Sequence, residues 1–502
     1  MEIEFKLQLP AGAATGVEQV LAQGSTRVAP LRARYFDTAG ATLRAAGIVL
    51  RIRQEGTRWM QTVKYGGDGL LAREEHEVDI GEVESETTPD LPDISRHAGS
   101  EVGRRLQRVL GKRGARSALV EVFATDITRI TCQVERGGSR IELALDRGCV
   151  RSGSGTDRRS VPVEELELEL KSGDVAPLVA LAAEWCARHG LWLGTESKSE
   201  KGWRLADPRL PPFDASTGRA IGRGMSGADM LAALIGQALA RLLPHASAVA
   251  AGGADPAEVH HLRVALRRLR TLLRELGGLV TAEAGLDPSW EPALASAFRQ
   301  LGHWQDQADL AARLLPELAG EGGPLVTLPA AAATPGQLPE AIARAPELQQ
   351  ALIGLVGFAS APPPDTAGLD ARRARALVRR RLDRLHDKVA SAAAGFETLP
   401  AEQQHRTRKQ LKRLRYLGEF AAPLHDADAV HGFLQAIKPA QNALGRQNDE
   451  AVALERLRAL VIPQPQAWFG VGWLSARRPA RTRASRKALQ RVSRQTPFWR
   501  KS

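Results

Sequence analysis

Two short segments carry an unusual arrangement of acids. Glu2, Glu4 and Lys6 alternate with Ile3, Phe5 and Leu7, and Glu165, Glu167, Glu169 and Lys171 alternate with Leu166, Leu168 and Leu170. An extended strand sends successive side chains to opposite faces, so each segment has one aliphatic and one ionic face. Arg51-Ile52-Arg53 and Gln61-Thr62-Val63-Lys64 place cations at the same period. An edge strand facing water would also alternate, but acidic and basic strands in one sheet argue for a lined cavity holding cations and anions together. Carboxylates are the oxygen ligands that hard divalent ions accept, and Arg and Lys grip phosphate oxygens, Arg in bidentate fashion. Glu2, Glu4, Glu167 and Glu169 on one lumen would raise one another's pKa unless a cation sat among them. This set suits a compact phosphate chain, whose hydrolysis needs neutralised phosphoryl oxygens and a water placed in line.

The chain of 502 residues is too long for one hydrophobic core, which predicts two or three domains. Its net charge of +12 is uneven. Residues 1–205 hold 29 basic and 30 acidic side chains, whereas the remainder holds 40 and 27. The basic half therefore calls for an anionic partner. Cys132, Cys149 and Cys186 show no metal-binding spacing, which fits a reduced, cytoplasmic setting. No signal peptide is expected, and no apolar run approaches the ~20 residues that span a bilayer.

Alternating runs predict strands near 2–9, 31–36, 48–53, 58–65, 72–79, 119–129, 139–146 and 163–170, with helices around 15–23, 95–112 and 174–190. Residues 206–227 are rich in Pro, Gly and Ala and read as a linker. Beyond it the chain is Ala-, Leu- and Arg-rich with helical periodicity, and breaks near 318–338 and 359–369 divide it. The helical half repeats itself. Residues 260–270, HHLRVALRRLR, match 405–415, HRTRKQLKRLR, and Leu301-Gly302 with Asp306 matches Leu444-Gly445 with Asp449. Two related helical bundles are predicted. On a helix, His260, Arg263, Arg267, Arg270 and Arg274 form one stripe beside Leu262, Leu266, Leu269 and Leu273. Residues 260–274 contain no acid, so this face lacks the Glu partners of an ordinary solvated one. Arg408, Lys412 and Arg415 form the second copy's stripe, flanked by Lys409, Arg413 and Tyr416. Two such helices facing each other would make a channel for a flexible polyanion.

The N-terminal half resembles the CYTH domain, or triphosphate tunnel metalloenzyme fold. Glu2-x-Glu4-x-Lys6 looks like its opening signature, and Arg34-Tyr35-Phe36-Asp37-Thr38 like its second strand. Leu50-Arg51-Ile52-Arg53 and Thr62-Val63-Lys64 resemble its basic strands, followed in order by Arg73, Glu75 and Glu77, then Arg129, Glu142 and Asp146, Glu167 and Glu169, and Lys198. The resemblance implies a closed eight-stranded antiparallel barrel over residues 1–205. By it, Glu2, Glu4, Asp146, Glu167 and Glu169 would hold magnesium or manganese. Lys6, Arg51, Arg53, Lys64, Arg129 and Lys198 would cradle the phosphates, with Lys6 close to the reaction and Glu169 or Glu77 orienting the water. Individual residues keep plainer readings. The alternative for Glu75 and Glu77 is that they only pair with neighbouring arginines inside the barrel; Glu74, Glu164 and Glu165 read as solvated or peripheral, Asp37 as serving the turn after its strand, and Glu142 is open.

Residues 223–500, after a linker at 206–222, resemble a CHAD domain. Gln305 departs from its pattern, where Arg commonly precedes the Asp. The resemblance implies polyphosphate binding by His260, Arg263, Arg267, Arg268, Arg270, Arg408, Lys409, Lys412, Arg413 and Arg415. The expected whole is an α+β chain: a β tunnel hydrolysing tripolyphosphate with magnesium or manganese, and an all-α domain holding long-chain polyphosphate, at polyphosphate deposits in the cytoplasm. Hydrolysis of thiamine or nucleoside triphosphates and a non-catalytic polyphosphate binder are the rivals. The helices lack the interleaved aromatics of a single-strand nucleic-acid binder, and no membrane partner is expected.

Overall fold

The computed structural model describes residues 2–66, 72–82, 91–111, 119–153, 155–209, 219–252, 255–328, 338–361 and 364–500. Two compact units form. One comprises Met1–Arg219, Leu239–Ala250 and Arg344–Ala361, and the other Ala220–Ala238, Ala251–Ala343 and Pro362–Ser502.

The first unit is built on strands β1 (Glu2–Gln8), β2 (Thr26–Thr38), β3 (Ile48–Glu55), β4 (Arg58–Gly66), β5 (Ala72–Glu82), β6 (Leu119–Arg136), β7 (Ser139–Ser152), β8 (Arg159–Ser172) and β9 (Trp192–Leu193). Helices α1 (Ala14–Leu21), α2 (Thr42–Ala45), α3 (Glu101–Leu110), α4 (Val175–His189) and α5 (Lys198–Ala206) lie between and after them. The strand order is β5-β4-β3-β2-β6-β7-β8-β1-β9, antiparallel throughout. β1 also pairs with β5 at Glu2↔Arg73 and Ile3↔Ala72, so the eight long strands return on themselves across a seam two residue pairs wide. Farther along the same edge β1 pairs with β9 at Leu7↔Leu193 and Gln8↔Trp192, a ninth strand that the alternation did not announce because it is two residues long.

The two faces of the sheet divide as the alternation requires. One face is aliphatic: Leu50, Ile52 and Val63 pack with Leu43 of α2 and Val102 and Leu106 of α3, while α4 lies against β7, β8 and β1. The expected helix over 95–112 is interrupted at Gly99, whose φ of +92° suits glycine, and Ser100 caps α3 by accepting from Gly103 N at 2.9 Å. The opposite face changes character along its length. At one end Ala33, Tyr35, Phe123, Ile127, Val150 and Val163 make an apolar floor with Trp203 and Leu205 of α5. Beyond that floor the same face is ionic.

The remaining helices are α6 (Gly227–Ala251), α7 (Pro256–Leu276), α8 (Trp290–Asp309), α9 (Leu315–Gly320), α10 (Pro339–Arg344), α11 (Pro346–Ser360), α12 (Ala371–Ala394), α13 (Ala401–Ala421), α14 (Ala427–Leu460) and α15 (Ala467–Ser493). Within the first unit α11 packs on α4, and Gln349 Oε1 accepts from Leu193 N of β9 at 2.9 Å. In the second unit α7 and α13, which carry the repeated sequence, pack against each other, α7 also against α8 and α13 also against α14. Among the described residues, no helix is long and apolar enough to cross a membrane.

The floor of the first unit depends on a close approach at Gly202. A Cβ there would stand 2.1 Å from Phe123 Cδ2, inside contact distance of a ring that is itself buried. Gly202→Ala is expected to lower stability by about 1–3 kcal/mol in chemical denaturation, despite alanine's better helix propensity.

Candidate functional site

Strand register lines the ionic face with side chains in three rows. The first runs Glu4 on β1, Glu169 on β8, Glu142 on β7 and Gln133 on β6. The second holds Lys6 opposite Glu167. The third runs Gln8, Glu165, Asp146 and Arg129. Directly opposed carboxylates repel, and the first row sets three side by side. Lys6 reaches Glu4 at 2.9 Å, while Lys171 reaches Glu169 at 2.6 Å and Glu142 at 3.2 Å. Three carboxylates beside two ammonium groups, one of which also serves Glu167, leave an acid-rich patch of oxygen donors. That donor set fits a hard divalent cation.

The other two rows are matched by cations. Arg129 donates Nε and Nη2 to the two oxygens of Asp146, each at 2.6 Å, and Nη2 also reaches Glu167. Lys198, in the first turn of α5, puts Nζ 2.6 Å from Asp146, 2.5 Å from Glu165 and 3.0 Å from Glu167. Lys201 stands 3.6 Å from Glu165. Burial alone would raise Glu165 and Glu167, but Lys198 with Lys201 and Lys6 overcomes it at Glu165, and Lys198 with Arg129 and Lys6 at Glu167, so both carboxyls are held below the usual range. Burial would likewise lower Lys198, and Glu165, Glu167 and Asp146 reverse this and hold the ammonium well above its ordinary value.

Cations dominate β3 and β4. Arg51 lies 3.6 Å from Glu75, which also takes Lys64 at 2.6 Å. Arg53 pairs with Glu55 and with Glu77 at 3.4 Å, and Glu77 accepts from Thr62 Oγ1 at 3.0 Å. Arg51 hydrogen-bonds the Tyr35 hydroxyl, and Tyr35 also feels Lys198 and Arg53, so β2, β3 and α5 bring these groups to one space. Burial would raise Tyr35, but Arg51 with Lys198 and Arg53 overcomes it and lowers the phenol. Among the described residues, Nε and Nη2 of Arg51 and Nε of Arg53 are buried without a hydrogen-bond partner, the Arg51 Nη2 contact with Glu75 being a longer ion pair at 3.6 Å. Buried guanidinium N–H groups left unmatched are costly, and an anionic guest would satisfy them.

Lys6, Arg51, Arg53, Lys64, Arg129, Lys198, Glu4, Asp146, Glu167 and Glu169 thus share one ionic face. The Glu2 and Arg73 side chains lie outside the described ones. Glu75 and Glu77 pair with the basic strands, and Glu142 joins the acid row. Asp37 serves its turn, accepting from Leu43 N and Arg44 N at 2.8 Å each. Glu165 is a correction: it is buried rather than peripheral, because Lys198, Lys201 and Gln8 hold both of its oxygens. Parity with Glu167 was the signal for it. Lys201 was missed because nothing in its local sequence marks where α5 points.

In the second unit the repeat is visible in the pairing. Arg263 of α7 faces Asp306 of α8 at 3.9 Å, despite Gln305 beside it, and Arg408 of α13 faces Asp449 of α14 at 3.7 Å. Arg263, Arg267, Arg408 and Lys412 form a cluster of cations within electrostatic reach of Asp306 and Asp449. Among the described residues, the Nε atoms of Arg263 and Arg408 are buried without a hydrogen-bond partner. Burial, then Arg267 and Arg408, push Lys412 down to about 6 against the opposing pull of Asp449. Arg263, Arg267 and Arg270 stand over the Phe298 ring at 5.4, 4.9 and 5.3 Å. His405 Nδ1 meets Asn448 Oδ1 at 2.7 Å, His260 packs edge-on to His261, and burial beside Arg413 and Arg408 lowers Lys409.

Four further expected groove residues are engaged by acids or amides other than Asp306 and Asp449. Arg268 of α7 pairs with Glu419 of α13, and Arg413 of α13 pairs back with Glu275 of α7 at 3.8 Å. Arg270 binds Glu291 at 2.8 Å, and Arg415 binds Glu419 at 2.7 Å and Gln441 at 2.6 Å. The reciprocal pairs clamp the two copies together. Arg268→Met, which leaves Glu419 mostly buried with half its partners, is expected to destabilise by about 2 kcal/mol. A double-mutant cycle with Glu419→Gln is expected to recover at least ~0.5 kcal/mol as coupling.

Residues 1–203 match the CYTH domain and residues 233–458 the CHAD domain. An inorganic triphosphatase of Haemophilus influenzae is 28% identical over 179 residues, covering 35% of this chain and 46% of that protein. The matched region thus spans under half the length of that relative. The crystal structure of the CHAD domain from the plant Ricinus communis aligns at 26% identity over 56% of this chain and 96% of its own, with a TM-score of 0.42. A Hippeastrum protein, described as a putative adenylyl cyclase with a dominant triphosphatase activity, aligns at 21% identity over 43% of this chain and 100% of its own, with a TM-score of 0.31. Residues 1–203 are a CYTH domain, and residues 233–458 are a CHAD domain.

Proposed function

We propose that the first unit hydrolyses inorganic tripolyphosphate to pyrophosphate and orthophosphate with a divalent metal, and that the second binds long-chain polyphosphate. The observation that carries the reading is the ionic face itself. An acid-rich row of Glu4, Glu169 and Glu142 shares it with Arg51 and Arg53, whose buried N–H groups are unmatched. The inorganic triphosphatase relative supports the reaction class. Tyr35, Phe123 and Trp203 pack on one another at the floor and offer no free ring to a nucleobase or thiazole, which favours an inorganic substrate.

Magnesium or manganese would be held by Glu4 and Glu169, with Glu142 beside them, and when bound supplies charge that neutralises phosphoryl oxygens. Arg51, Arg53 and Lys64 grip the phosphate chain and fix its position along the face. Lys6, 3.7 Å from Glu167, supplies a point charge between the acid row and the interior cations. Glu169 orients the attacking water. Glu77 instead keeps Arg53 and Thr62 in place. In the second unit Arg263, Arg267, Arg408 and Lys412 bind successive phosphates of a flexible chain, their charge exceeding that of Asp306 and Asp449.

Phosphate release from tripolyphosphate with magnesium tests the reaction. Arg51→Ala and Glu169→Gln are each expected to lower turnover by about 10²-fold or more, and equal release by wild type and both variants would overturn it. Arg263→Ala combined with Arg408→Ala is expected to weaken long-chain polyphosphate binding while tripolyphosphate turnover is kept. Polyphosphate favours the charged form of Lys412, so binding draws in a proton. Affinity is therefore full below about pH 6 and falls as pH rises through that value, by at most ~10-fold per pH unit. Lys412→Met is expected to flatten that dependence in fluorescence titrations.

A further inference from the structure

We infer that Lys198 is a built-in cation for the pocket formed by Asp146, Glu165 and Glu167, and that these three acids position α5 instead of ligating metal. Their oxygens converge within 4.8 Å of one another, and the ammonium group contacts all three. The charges close. Asp146, Glu165 and Glu167 are contacted by Arg129, Lys198 and Lys201, three acids to three bases. A divalent ion entering the pocket would add two uncompensated charges to a buried set, so it would have to displace an ammonium group.

Displacement is opposed by how Lys198 is held. Ser197 caps α5 by accepting from Glu200 N at 3.2 Å, and Glu200 Oε2 accepts from Ser197 N at 2.7 Å, which fixes the first turn that carries the lysine. Trp203 anchors the other end of α5 against Phe123, with ring centroids 6.0 Å apart. The ammonium is thus presented by a helix fixed at both ends. Among the described residues, the lysines within ion-pair distance of Glu4, Glu169 and Glu142 extend from the same strands as the acids, and no helix presents an ammonium group to that row as α5 does to the pocket. Carboxylates on one face therefore divide into a metal-facing row and a lysine-filled pocket. Only the assignment of metal to the first row rests on the proposed reaction.

Manganese binding to the full chain, followed by electron paramagnetic resonance without substrate, separates the alternatives. Glu165→Gln is expected to bind as many ions as wild type, because the pocket takes none. Lys198→Met is expected to bind one more ion, and Lys198→Met with Glu165→Gln to lose it again. Loss of an ion from Glu165→Gln alone, or no gain in a folded Lys198→Met, would overturn the inference. Should circular dichroism find Lys198→Met unfolded, Glu165→Gln alone decides between occupied and free. A wild type binding no manganese, beside a Lys198→Met that binds one, would support the built-in cation and refute the metal-dependent reaction.

Discussion

A charge taken out of water must be matched by an opposite charge or remain costly, and the first unit has more than a dozen charged groups on one sheet face. The solution is ordered by strand register. Where Arg129, Lys198 and Lys201 meet Asp146, Glu165 and Glu167, acid and base neutralise one another. Two places fall short of that balance. Among the described residues, the row of Glu4, Glu169 and Glu142 sets three carboxylates beside Lys6 and Lys171, and Arg51 and Arg53 have N–H groups without hydrogen-bond acceptors. A divalent cation answers the first deficit and a phosphate chain the second, and a metal–phosphate complex answers both at once.

The second unit resolves the same problem differently. Its two copies are joined by Arg268 with Glu419 and Arg413 with Glu275, pairs that exchange helices across the repeat. Together with Arg270 on Glu291 and Arg415 on Glu419, those ion pairs use up about half of the cations that look, in sequence, like one uniform basic face. The other half, Arg263, Arg267, Arg408 and Lys412, is left with too few acids, and burial lowers Lys412 to about 6 as a result. Basic residues on one helix, even adjacent ones such as Arg267 and Arg268, therefore do opposite jobs, one set binding the molecule together and the other holding excess charge for a guest.

Much of this was legible in the chain. Period-two alternation gave the long strands and the division of faces, because an ionic residue cannot share the aliphatic side with Phe5 or Leu168. The repeat at 260–270 and 405–415 gave the paired helices, and the matched Asp306 and Asp449 gave the acids that face them. What escaped was set by contacts distant in sequence. β9 has no pattern of its own, and Glu165 looked peripheral because its partners Lys198 and Lys201 arrive about thirty residues later on a helix. Arg268 and Arg413 looked like ligands because the acids they bind, Glu419 and Glu275, lie on another helix. Periodicity identifies a face, and only packing tells which opposite charge arrives there.

Metal and phosphate that satisfy complementary deficits on one face must bind with positive linkage, and that linkage is the most direct test. Tripolyphosphate affinity for the full chain should be measured calorimetrically across a range of calcium concentrations, with calcium in place of magnesium to slow turnover. The account predicts that affinity rises with calcium in wild type and that Glu4→Gln with Glu169→Gln abolishes the dependence while weak binding through Arg51 and Arg53 persists. Affinity independent of calcium in the wild type would contradict it.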